Sequence, residues 1–485
     1  MTYPGGGAAG RSELATRLRQ VVAPERVMTS GPGYDTGRTL WNGAVDRRPA
    51  VVLRCGDPAD VRAGVRIAGE LGVPLSVRAG GHGWTGSAVA DDGLTIDIGG
   101  LRRVTVDAGA KTADVQGGAT AGELIAATEP RGLVAVTGTV DAVGVAGLAL
   151  GGGYGPLTGR FGLAVDNVLA ADVVLADGTE LTADADHEPD LFWALRGGGG
   201  NFGVVTSVRV ALHTVPAVLG GVILYPWAQA GAVLAALAET ALTAPDELTL
   251  QSGIVTGPTG EPVVFAAPTW CGETTRGERV LAELTRLGDP VVHRIAPTTL
   301  TELLRRNGES FPAGRHAEVR PRNLPGLTPR AVDALVAGGE SMTSALSAVS
   351  LHVLHGAAAR VPVDDTAFGI RTPHLMAENI ALWEPSDHRA AEHRDWARDL
   401  SDALSGEALP GGYVNLLAPD ETDQIAHAYG PNRDRLPAVK RKFDPAGVFS
   451  ATPLPPDAGP PPGSGRPADS GPSADSGSPP DPRHP

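Results

Sequence analysis

The sequence is poor in cysteine, lysine and aromatic residues. It has two cysteines, Cys55 and Cys271, three lysines, Lys111, Lys440 and Lys442, and 4% Phe, Trp and Tyr. Two widely spaced cysteines make neither a disulfide framework nor a metal-ligand set, and they point to a reducing compartment. No stretch approaches about 18 uninterrupted apolar residues, so no membrane span is expected. The opening MTYPGGGAAGRSELATRLRQ has no apolar h-region and no twin arginine, which makes a cytoplasmic location the expectation. With a formal net charge of -15 and no basic cluster, the chain offers little to nucleic acid or to an anionic membrane.

What is present is glycine, alanine and a large apolar content. The 485 residues are 42% hydrophobic, enough for two or three domains with sizeable cores. Residues 12–22 predict a short leading helix. PAVVLRC reads as a strand, DPADVRAGVRIAGELG as a helix capped by Asp57 with Pro58 behind it, and VPLSVRAGG as a strand. LTIDIGG, VTVDAGAKTADVQGG and a helix from about 120 follow. Residues 165–183 read as two strands turning at Asp177-Gly178. Beyond 216 the strands GGVILYPW, LTLQSGIVTG and PVVFAAPTWCG alternate with helices near 228–243, 274–287 and 388–405, as in an antiparallel α+β domain. From Pro453 to Pro485 almost every residue is Pro, Gly, Ser, Asp or Ala, and that tail is expected to be disordered.

Three glycine-dense segments stand out: Arg78–Ser87, Thr137–Gly155 and Arg196–Gly203. Glycine lets backbone N–H groups approach one anion closely, so such loops can cradle phosphate. Gly81-x-Gly83-x-x-Gly86 matches the dinucleotide fingerprint, but the next element is the strand LTIDI, where that fingerprint requires a helix. The match is therefore a decoy, and the loop belongs to another fold or is a tight surface turn. His82 sits between glycines in the first loop, as a solvated residue or as a neutral nucleophile that a cofactor ring can reach.

Three long strings, RAGGHGWTGSAV, TGTVDAVGVAGLALGGGYGPLTGRFGLAVDNVLAADVVLADG and HEPDLFWALRGGGGNFGVVTSV, together with the ending GGYVNLLAPD…AYGPNRDRLPAVKRKFDPAGVF, resemble the berberine-bridge-enzyme-like FAD-linked oxidases of the vanillyl-alcohol-oxidase type. The resemblance covers roughly residues 35–215 and 370–450. It implies an α+β fold: a two-subdomain PCMH-type FAD-binding domain plus a substrate domain whose antiparallel sheet is covered by helices. The expected boundaries are 1–27 for the leading extension, 28–215 for FAD binding, 216–410 for substrate, 411–452 for a segment returning to the FAD domain, and 453–485 for the tail.

The resemblance also assigns a chemistry. His82 takes the place of the histidine joined to the 8α methyl of FAD. The cysteine that makes a second link in many members is replaced by Val140, so a single covalent link is expected. Cofactor contacts are expected from Arg78, Gly80, Gly81, Gly83, Ser87, Thr137, Gly138, Thr139, Gly144, Gly147, Gly152, Gly153, Asn201, Gly203, Val204, Val205, Tyr413 and Asn415. The family's catalytic base is commonly the last tyrosine of Tyr-x-Asn-Tyr; here the motif reads Tyr413-Val414-Asn415-Leu416, and leucine accepts no proton.

The remaining candidates for the base are three. Tyr154 is a base or a packed loop aromatic. Tyr413 faces the flavin or supports its strand. His352 shares a strand face with Ser350 and Leu354, and is a catalytic group or a satisfied sheet histidine. Trp193 and Phe192 read as core residues beside the cofactor, and Asp166-Asn167 as a turn. The activity implied is oxidation of a small-molecule substrate, of secondary-metabolite type, with dioxygen as acceptor and no metal. A flavin-holding protein without redox turnover and a dehydrogenase serving a protein acceptor are the alternatives.

Overall fold

The computed structural model describes residues 8–455, so the expected tail lies outside the described residues from 456 onward. The leading helix, Ala8–Val21, is no detached extension. Its Leu14 and Leu18, one turn apart, are buried in the core of the first sheet, each contributing roughly 2 kcal/mol of apolar burial. That sheet runs Val27–Met28, Val51–Arg54, Leu94–Asp97, Leu75–Arg78, the last three strands parallel. The helix Pro58–Leu71 makes the crossover. Asp57 caps it by accepting from Asp60 N, Pro58 opens it, and Gly72 closes it in the left-handed region.

A second sheet is antiparallel and centred on the long strand Val204–His213. Its neighbours are Thr112–Gln116 and Val168–Val174, with Val104–Asp107 and Glu180–Asp184 outside them. The helix Ala121–Thr128 covers it, started by a Thr120–Glu123 capping box.

After His213 the chain enters a seven-stranded antiparallel sheet. The order is Val292–Thr298, Val218–Pro226, Pro262–Trp270, Leu248–Thr256, Ala348–Leu354, His374–Trp383, His316–Leu324. Three of these strands carry no clear strand signal in sequence: Val292–Thr298 and His316–Leu324 contain prolines and charges, and His374–Trp383 hides an acid. Helices Ala230–Thr243, Pro329–Glu340 and Ala390–Leu404 cover one face, where Leu351, Val353, Leu375 and Ala377 join the core. Alternation then turns His352, Met376 and Glu378 to the opposite face, toward the glycine loops.

The chain finally leaves the large sheet and returns to those loops. Tyr413 Oη accepts from Gly153 N at 2.8 Å, and Asn415 Nδ2 donates to Leu148 O at 3.1 Å. Pro453–Pro455 belong to this packed segment: Pro453 O accepts from Tyr429 Oη at 2.8 Å, and Leu454 packs on the main core. The expected tail therefore starts later than Pro453.

Candidate active site

Between the glycine loops and the open face of the large sheet lies a cleft with about 1560 Å³ of empty space, part of it open to solvent. The first loop contributes Gly80, Gly81, His82, Gly83 and Ser87; the second, Gly138, Thr139, Gly144, Gly147 and Tyr154; the third, Gly203, Val204 and Val205. The sheet adds His352, and the returning segment adds Tyr413 and Asn415. The first two loops touch so closely that a Cβ on Gly80 would stand 2.6 Å from Gly144 N. Gly83 and Gly147 are the reverse case, since a Cβ on either would meet nothing within 4 Å. Each bares backbone to the cleft, the arrangement needed to hold a long, flat, phosphate-bearing cofactor.

Five expected cofactor residues stand behind the wall. Arg78 pairs with Asp97 at 3.2 Å and donates to Thr39 O, which braces the His82 loop. Thr137 is buried with its hydroxyl on Gly138 O. Gly152 and Gly153 back onto Tyr413, Phe368 and Ala164. Asn201 is fully buried and its amide is spent on protein: Nδ2 donates to Gly198 O, Thr452 O and Thr452 Oγ1, while Oδ1 accepts from Thr452 N. Asn201 fastens the C-terminal segment. Ala451, Thr452 and Pro453, none of them an expected cofactor residue, thereby become part of the cleft wall.

His82 is half-buried, and its ring stacks on Trp41 at 5.4 Å between centroids with an interplanar angle of 19°. Burial lowers its pKa to about 4 against the pull of Asp141, so the imidazole is neutral at physiological pH and keeps a nucleophilic lone pair. Val140 is not on the cleft wall, and Cys55 and Cys271 are both buried in cores away from it. Among the described residues no thiol lines the cleft. The residues fit FAD: a glycine cradle without side chains, and a neutral histidine at its edge.

The tyrosines are poorly suited to be bases. Tyr154 is pushed well above its ordinary pKa by burial and by Tyr413. Its Oη lies 2.9 Å from His374 Nε2, while His374 Nδ1 lies 2.7 Å from Thr372 O. Burial holds His374 neutral, with its pKa lowered to about 4, so Nδ1–H donates to Thr372 and Tyr154 donates to Nε2. Tyr413 is also raised by burial, and its oxygen already accepts from Gly153 N and from Asn415 Nδ2 at 2.9 Å. Leu416 lines the cleft, and its carbonyl accepts from Trp84 Nε1 at 2.9 Å.

A carboxylate stands where these groups leave a gap. Glu378 faces the cleft from the strand His374–Trp383, with Oε1 3.5 Å from His352 Nε2. Burial raises its pKa, opposed by His352. His352 in turn meets Ser350 Oγ at 3.1 Å, and Gln251 Nε2 donates to Ser350 Oγ at 2.8 Å. The one sequence signal for Glu378 is a single acid in the otherwise uncharged run HLMAENIALW between buried neighbours. A smaller cavity, with about 550 Å³ of empty space, continues over the sheet between Pro156, Gln251, Pro268, Leu303 and Asn307. Thr139, Tyr154 and His352 line both cavities.

Known proteins match the chain over most of its length. The family described as FAD binding domain matches residues 49–184, and that described as berberine and berberine-like matches 412–453. (R)-6-hydroxynicotine oxidase of Paenarthrobacter nicotinovorans is 32% identical over 456 residues, covering 90% of this chain and 97% of its own. The chain belongs to the berberine-bridge-enzyme-like FAD-linked oxidoreductases. Another relative in this family, the FAD-linked oxidoreductase aurO of Gibberella zeae, is 33% identical over 450 residues, 91% of this chain and 87% of its own. The crystal structure of 6-hydroxy-D-nicotine oxidase from Arthrobacter nicotinovorans superposes with a TM-score of 0.79 at 31% identity, covering 88% of this chain and 96% of that one. The protein is thus an FAD-dependent oxidoreductase of the berberine-bridge-like fold. Among the described residues no helix is long and apolar enough to cross a membrane.

Proposed function

We propose that this flavoprotein is an oxidase carrying FAD on a single covalent link through His82, and that it dehydrogenates a compact organic molecule of secondary-metabolite type with dioxygen as electron acceptor. When bound, FAD supplies the hydride acceptor and passes the electrons on. The neutral His82 anchors it, and with Val140 at the second attachment position one link is what the chain provides. The smaller cavity sets Gln251 and Asn307 between Pro156, Pro268 and Leu303, a lining that suits a largely apolar substrate with one or two polar groups.

Glu378 takes the proton from the O–H or N–H next to the carbon being oxidised. His352 favours its ionised form, and the Tyr154 and Tyr413 hydroxyls orient the substrate. The observation that carries this reading is the His352–Glu378 pair, 3.5 Å apart, with His352 on the wall shared by the two cavities. The name oxidase borne by the relative at 32% identity supports dioxygen as acceptor.

Two measurements test it. Acid-precipitated wild type should retain flavin by intact mass, and His82→Ala should not. Anaerobic mixing with small amines and alcohols should bleach the flavin, and admitted oxygen should restore it with release of peroxide. Flavin that no substrate reduces points instead to a binding or isomerising protein. Reduced flavin indifferent to oxygen points to a dehydrogenase with another acceptor.

A further inference from the structure

His82 is the one cleft residue whose chemistry requires a ring nitrogen at a fixed point, yet its backbone does little to fix it. It lies between Gly81, with φ of +67°, and Gly83, and neither ring nitrogen has a hydrogen-bond partner among the described residues. Its one directional contact is the stack on Trp41 at 5.4 Å and 19°, within the range favoured for paired aromatic rings. Trp41 is anchored from several directions. Its backbone N donates to Gly81 O at 2.9 Å, its carbonyl accepts from Gly314 N at 2.9 Å, and its indole Nε1 donates to Phe311 O at 2.9 Å. It also packs against the cluster of Trp84, Ala317 and Val319. His82 lines the cleft and Trp41 does not, so Trp41 supports the ring without occupying cofactor space.

We propose that Trp41 is the positioning residue for flavin attachment: a plate, held by both the glycine-loop region and the large-sheet domain, that sets the plane of the His82 ring so that one nitrogen faces the cleft. The inference rests on the His82 link proposed above. In that step an imidazole N–H and a methyl C–H of the cofactor are lost and a C–N bond forms. The two electrons and two protons leave on dioxygen as hydrogen peroxide. The bond forms only from a ring pose that presents the nitrogen to the methyl carbon, and misplacement of such a pair is costly in rate. An unrestrained histidine has about three χ1 wells and two broad χ2 orientations, so it holds one pose roughly one-sixth of the time. Losing the plate should slow attachment roughly sixfold without emptying the glycine cradle.

The test uses the full chain as wild type, Trp41→Phe and Trp41→Leu, produced identically. Total flavin is measured after digestion, and covalent flavin after acid precipitation, at intervals during incubation with FAD in air. The expected result is near-equal total flavin in all three. The covalent fraction should grow about sixfold more slowly in Trp41→Leu and close to the wild-type rate in Trp41→Phe, which keeps a stacking ring. Equal rates in all three overturn the proposal. Equal slowing in Phe and Leu also overturns it, because the indole hydrogen bond and not the stack would then be responsible. If Trp41→Leu does not fold, Trp41→Met against Trp41→Phe gives the same contrast. Wild type that binds flavin with none of it covalent refutes the His82 link itself, a failure distinct from any difference among the variants.

Discussion

Glu378 Oε1 and His352 Nε2 meet at 3.5 Å on adjacent strands of the large sheet, with Ser350 directly across from Glu378 in register. An acid and an imidazole from two strands thus reach one point of the cleft, opposite the loops that carry His82. Glu378→Gln keeps the shape and removes the proton acceptor. We expect flavin reduction by substrate to fall by about 10²–10⁴-fold with flavin content unchanged, the range general bases contribute. Stopped-flow bleaching measures it, and a loss below about threefold would reassign the base.

The same pair sets the acid limb of the pH profile. Burial raises Glu378 above the ordinary carboxylate value, and it must be ionised to accept a proton. The rate of flavin reduction should therefore climb with pH through an ionisation above about 4.3, the usual glutamate value. His352 favours the ionised carboxylate, so His352→Asn should move that limb to higher pH. A limb that stays put, or moves down, would uncouple the two residues.

His374 gives a stability signature. Fully buried, it is neutral with a folded-state pKa lowered to about 4, against 6.5 for the free side chain. Between those values the unfolded chain binds the proton and the folded one does not, so stability is present above about pH 6.5 and is lost as pH falls toward 4. The upper bound for this one group is on the order of 3 kcal/mol. Urea unfolding at pH 7 and pH 5 should show a smaller drop in His374→Gln than in wild type.

The C-terminal staple is testable by one atom set. Asn201→Ala removes a fully buried partner of the half-buried Thr452, whose N and O lose their bonds to it while Oγ1 keeps Gly198 O. Leaving such groups unpaired costs about 1–3 kcal/mol each. The variant should melt lower and lose flavin more readily. A chain ended after Ser450 should lose flavin where one ended after Pro455 does not.

Much of the site is legible in the sequence because glycine and histidine announce themselves. His82, the three loops, Tyr154 and Tyr413 all stand in motifs where few other residues would serve, and strand alternation alone placed His352 on the face of Ser350. Glu378 is invisible by the same logic. A lone acid in HLMAENIALW reads as a flaw in a strand until the partner strand brings His352 beside it. Asn201 misleads in the opposite sense: its polar amide in a glycine loop suggests a ligand, whereas its partner, Thr452, lies 251 residues on in sequence. His316–Leu324 hides as a strand because Arg320 carries its charge into the interior, satisfied by Glu318 and by Asp420 at 2.8 Å from the returning segment.

The fastening of Thr452 to Asn201 has a consequence for biosynthesis. The cleft borrows one wall from residues 451–453, made long after His82 and its glycine loop. A chain that stops short of them carries His82 and the glycine loops but not that wall. Flavin bound by such a chain would meet a cleft that lacks the wall supplied by Ala451, Thr452 and Pro453.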